Sequence, residues 1–150
     1  MAALPLLCFL IETAWLRRRP RMRFSYGVVF CRWFVFWALG IRLFTAGLMQ
    51  LFLPDFTAGM LQLPDSAYIV VNELGIANLM LGLTGVGTLF WPSWRKPAAF
   101  AAGFFLLGCA LLHVLRIGIG PDFKENVALI SDFWAFLVGC FALFQRPDRR

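Results

Sequence analysis

Five apolar runs, at about 2–16, 25–53, 67–91, 97–117 and 126–144, take up most of this chain, and a helix of about 20 apolar residues is what crosses about 30 Å of hydrocarbon. That pattern fixes the fold class more tightly than any motif. It predicts an all-α integral membrane helical bundle with five transmembrane helices, forming a single domain over residues 1–150. The composition agrees: 61% of residues are hydrophobic and 17% aromatic, with a mean hydropathy of +0.76, far from the averages of soluble domains. The first run is the weak one, because its roughly 15 residues rise only about 23 Å. The alternative is four spans with that first helix lying along the interface.

Orientation follows from the Lys and Arg residues of the short loops. Arg17, Arg18, Arg19, Arg21 and Arg23 follow the first run, Arg95 and Lys96 precede the fourth, and Arg146, Arg149 and Arg150 follow the last. The segment "PDFTAGMLQLPD" has no basic residue, and "GIGPDFKEN" has only Lys124. All basic clusters fall on one side, which predicts a multi-pass protein of the inner (cytoplasmic) membrane with its N-terminus outside and its C-terminus in the cytoplasm. The first run does not read as a secretory signal, since its charges follow the apolar core. The net charge of +6 sits in short clusters between apolar runs, so no nucleic-acid partner is expected. Cys8, Cys31, Cys109 and Cys140 form no CxxC pair and read as small packing residues.

The stretch "RWFVFWALGIRLF" carries two arginines into apolar surroundings. A guanidinium near a helix centre costs about 2.5 to 3.5 kcal/mol on insertion scales, so each needs a partner or a polar pocket. Depth counted at about 1.5 Å per residue places Arg32 and Glu12 together in the inner leaflet, where they read as a structural pair. Arg42 lies near mid-membrane. From the outer side, "NELGIAN" brings Asn72, Glu73 and Asn78, the fourth run brings His113 and Arg116, and the fifth brings Asn126 and Asp132. The pairings expected from depth are Arg42 with Glu73 and Arg116 with Asp132. Small residues at helical spacing, Gly75, Asn78, Gly82 and Gly85 on one run and Asp132, Ala135, Gly139 and Ala142 on another, predict inward faces.

This outer cluster has two readings. Its ion pairs can simply specify helix register, or its ionisable groups can be ligand-binding or proton-relay residues, the default hypothesis for such groups within a membrane. A single histidine excludes a haem held by two His ligands of this chain. No ligand spacing supports a metal site, although His113, Glu73 and Asp132 are suitable types.

The segments "RWFVFWALGIRLF", "FTAGML", "NELGIANLMLG" and "KENVALISDFWAFLVG" together resemble a family of small prokaryotic inner-membrane proteins of unassigned function, which looks akin to the DoxX-like group of helical bundles. The resemblance runs from about Cys31 to Leu143 and rests on Arg32, Trp33, Arg42, Phe56, Thr57, Asn72, Glu73, Gly75, Asn78, Asn126 and Asp132. It implies no chemistry beyond a fold-level link of DoxX-like proteins to quinone-coupled oxidation.

No P-loop, nucleophile elbow, zinc motif or dinucleotide fingerprint is present in the sequence, so no enzymatic reaction is assigned. The first functional reading is an accessory or ligand- or lipid-binding bundle with a polar site in the outer leaflet. Its partners would be membrane lipids, a membrane protein or further copies of the chain. The second is a quinone-linked oxidoreductase component, quinone being the one cofactor considered. The third is a proton-coupled or anion transporter acting as an oligomer.

Overall fold

In the computed structural model, residues 3–19, 24–60, 63–117 and 123–145 are described. Six α-helices account for most of them: α1 (Ala3–Arg17), α2 (Tyr26–Phe52), α3 (Pro54–Met60), α4 (Tyr68–Gly87), α5 (Arg95–Ile117) and α6 (Phe123–Phe144). Short 3₁₀ turns at Asp65–Ala67 and Pro92–Trp94 lead into α4 and α5. No strand occurs among the described residues.

Four of these helices, α2, α4, α5 and α6, are long and apolar enough to cross a membrane. Helix α1 is not among them, because its 15 residues rise about 22 Å against about 30 Å of hydrocarbon. It nevertheless does not cross the bundle at an angle, as an interfacial helix would. It runs antiparallel to α2: Arg17 donates to the Tyr26 hydroxyl, Glu12 meets Arg32, Phe9 packs edge-on against Phe30, and Pro5 reaches the level of Phe34 and Ala38. Arg17, Arg18 and Arg19, at the end of α1, therefore lie at the same end of the bundle as Arg95, hereafter the basic end.

Two tight helix pairs build the bundle. Helix α2 lies against α4 with almost nothing between the backbones. A β-carbon on Gly40 would sit 2.7 Å from the carbonyl carbon of Gly85, one on Gly47 would sit 2.5 Å from the amide nitrogen of Leu79, and one on Gly82 would collide with the backbone of Phe44. Small residues at such positions let helices approach where no hydrophobic force drives them together in lipid. The second pair, α5 and α6, meets at Gly103 and Gly139, where a β-carbon on Gly139 would lie 2.9 Å from the carbonyl oxygen of Ala99. The two pairs join in the half of the bundle nearer the basic end. There Cys31, Val35 and Leu39 of α2 are packed among Ala99, Ala102 and Leu106 of α5 and Ala135, Val138 and Ala142 of α6.

Helix α2 is not uniformly α. Val35–Ile41 forms a π-helical segment, which takes more residues per turn than the α-helix. Its inward residues explain it: Cys31, Val35, Leu39, Leu43 and Gly47 are all buried and recur at intervals of four. An α-helix overshoots a full turn by about 40° in four residues, so such a series would spiral off the packed face. The wider turn brings Leu39 and Leu43 back onto it and sets the direction of Arg42, the residue that follows.

Candidate functional site

Beyond the packed core the two helix pairs part, and the space between them is a cleft of about 530 Å³. Its walls are Leu43 and Ala46 of α2, Leu74 of α4, and Phe105, Leu106 and Leu112 of α5. Its polar surface comes from Arg42, Gln50, Asn78, His113 and Asp132. The rim residues Leu112 and Leu115 are 62% and 69% exposed, on a helix long and apolar enough to cross a membrane.

The ionic centre links the two helix pairs. Arg42 donates through Nη2 to Asp132 Oδ1 and through Nη1 to the carbonyl oxygen of Ser131 at 3.0 Å. Both partners are on α6, so one guanidinium spans from α2 to α6. Asp132 presents its other oxygen, Oδ2, to His113 Nε2 at 3.6 Å, an ion-pair separation longer than a hydrogen bond. The Asp132 side chain is 6% exposed and that of Arg42 18%. Charges this far from water persist because each is matched. Arg42 also borders a second, small cavity of about 30 Å³ with Pro5, Ser131 and Trp134.

A second polar point lies farther from the core. Asn78 Nδ2 donates to Gln50 Oε1 at 2.8 Å, while Asn78 Oδ1 is buried and has no partner among the described residues. Asn72 Oδ1 is likewise unpartnered but does not line the cleft.

The expected Arg42–Glu73 pair is not formed. Glu73 is exposed, and Arg42 is engaged by Asp132. Two residues separate Glu73 from Gly75, a rotation of about 200° on a helix, so Glu73 points away from the face that packs on α2. Asp132 sits on the small-residue face of its own helix and points inward. The expected Arg116–Asp132 pair cannot be followed, since the Arg116 side chain lies outside the described residues. Asn126 is exposed. Among the described residues no three ligand-type side chains converge on a common metal position.

Near the basic end the polar group is larger than a pair. Arg32 Nη1 donates to Glu12 Oε1, and Trp33 Nε1 donates to the other carboxylate oxygen at 2.6 Å. Sequence reasoning named Trp33 only as a motif residue and missed its bond to Glu12, as it missed Gln50, because depth counting registers charges and passes over neutral donors and acceptors. All four cysteines are free thiols.

The chain belongs to a family of unknown function, DUF6790, whose family model matches residues 1–150. No curated protein matches it. No solved structure matches it either.

Proposed function

We propose that this DUF6790 protein binds an amphipathic molecule that enters sideways from the bilayer, with its apolar part along Leu43, Ala46, Leu106 and Leu112 and its polar group against Arg42, Asp132 and His113. One observation carries this reading: a single cleft runs from exposed leucines on a helix of spanning length to a buried ion pair. The volume of about 530 Å³ falls within the roughly 300–1,000 Å³ range of small-molecule sites, which are mostly apolar with a few placed polar groups. Ion pairs that only specify register need no cavity beside them.

A quinone-linked role is the second reading, in keeping with the DoxX-like resemblance. It is favoured by the imidazole and carboxylate 3.6 Å apart on the cleft wall, a pair able to exchange a proton with a ring oxygen. In either case the proposed setting is the inner membrane with the basic end in the cytoplasm, which the distribution of Arg and Lys supports.

The test is the set of small molecules that co-purify with the protein. Extraction and mass spectrometry of wild type should find one amphiphile enriched over bulk lipid, and Ala46→Phe, which fills the cleft, should deplete it. A quinone as the enriched species would select the second reading. Identical profiles for wild type and Ala46→Phe would refute binding in the cleft.

A further inference from the structure

The charge and hydrogen-bonding capacity left over in the cleft narrow its ligand further, on the premise that the cleft does bind an amphiphile. Arg42 and Asp132 carry opposite charges and are paired, so between them they add no net charge to the cleft. An anionic head group would add a second negative charge beside Asp132, and a cationic one a second positive charge beside Arg42. Either leaves a buried charge unmatched, which is costly. A neutral head group meets no such obstacle.

The second restriction comes from Asn78. It is 5% exposed, lines the cleft, and keeps an acceptor, Oδ1, to which nothing donates among the described residues. Buried polar atoms in native proteins are nearly always paired, and the surrounding Leu43, Ala46 and Leu74 have no side-chain donor to offer. The antiparallel register set by Gly40 against Gly85 and Gly82 against Phe44 puts Asn78 level with Gly47. That is five positions along α2 from Arg42, about 7.5 Å. The site therefore has two polar points with apolar walls beside them.

We infer that the cleft takes a neutral amphiphile with at least two hydrogen-bonding groups several ångströms apart, one of them a donor such as a hydroxyl or amide N–H that Asn78 Oδ1 accepts. The other group meets the Arg42–Asp132–His113 centre. A glycerol monoester has this chemistry; a fatty acid anion and a simple methyl ester do not.

The experiment uses delipidated full-length protein in an amine-oxide detergent, which carries no hydroxyl of its own. Three probes of one chain length are titrated by native mass spectrometry: monoolein, methyl oleate and oleate. Monoolein should bind roughly three- to tenfold more tightly than methyl oleate, the worth of one net hydrogen bond, and oleate should bind no better than the ester. Asn78→Leu should abolish the advantage of monoolein over methyl oleate. Equal binding of all three probes, a preference for oleate, or a monoolein preference that survives Asn78→Leu would overturn the inference while leaving an amphiphile-binding cleft intact. Failure of all three to bind would overturn both. Should Asn78→Leu not fold, the three-probe comparison on wild type decides alone.

Discussion

The pairing of Arg42 with Asp132 makes a quantitative prediction that separates it from the alternative partner, Glu73. Asp132→Asn removes the counter-charge of a guanidinium that is 18% exposed but leaves it the Ser131 carbonyl and the new amide oxygen as acceptors. The expected cost is therefore near the lower end for a broken buried pair, about 3 kcal/mol, or more than a hundredfold in the folding equilibrium. Arg42→Gln strands a carboxylate that is 6% exposed and should cost a similar amount. The double variant Arg42→Gln/Asp132→Asn has two neutral amides that can still bond between α2 and α6. It should cost about as much as either single change, giving a coupling energy of about 2–3 kcal/mol. Glu73→Gln serves as the internal control: an exposed residue without an ion partner among the described residues should change stability by no more than about 0.5 kcal/mol and add simply to Arg42→Gln. The measurement is unfolding in mixed micelles by titration with a denaturing detergent, followed by far-ultraviolet circular dichroism. Additive Arg42 and Asp132 effects, or coupling of Arg42 to Glu73, would refute the assignment.

The glycine contacts make a second prediction. Gly82→Ala drives a methyl into the Phe44 backbone and should cost about 1–3 kcal/mol. Gly108→Ala, where a β-carbon meets nothing within 4 Å, should stabilise α5 by up to about 1 kcal/mol; both are read by thermal melting in detergent. Glu12→Leu should leave Arg32 and Trp33 Nε1 unsatisfied and loosen α1, seen as faster tryptic cleavage after Arg17, whereas Glu12→Gln should resist cleavage better because its amide oxygen still accepts. For the proposed orientation, a reporter fused at Asp65 should be active on the outer side and one at Arg150 in the cytoplasm. An inward Asp65 reporter would overturn it.

Much of this was legible in the chain, and the failures have identifiable causes. Run length and hydropathy announced α2, α4, α5 and α6, because backbone groups in hydrocarbon must be bonded within their own helix. The small-residue stripes announced the inward faces of α4 and α6, since only close approach uses them, but not which helix lies against each. The partner of Arg42 was misassigned because depth along a helix says nothing of direction around it. The information was nonetheless present: Glu73 stands about 200° from Gly75 on the helix, while Asp132 heads its own small-residue stripe. The π-helical segment was not legible, because nearly every residue from Trp33 to Ile41 is apolar and only the structure shows which of them are buried at intervals of four. The cleft itself was not legible, because an empty space depends on where two helix pairs part, and no residue encodes that alone.

The glycine and alanine contacts also have a mechanical consequence. Helices α2 and α4 touch backbone to backbone, as do α5 and α6, so each pair behaves as a stiff leaf with little side-chain padding to compress. The leaves are bound to each other near the basic end by the Cys31, Val35 and Leu39 packing and stand apart where the cleft opens, like a book held at its spine. Arg42 and Asp132 clasp the pages just above that binding. The span of the cleft is then an angle and not a fixed bore, and on the proposed binding role a bulkier guest would widen it by turning whole leaves instead of denting their walls.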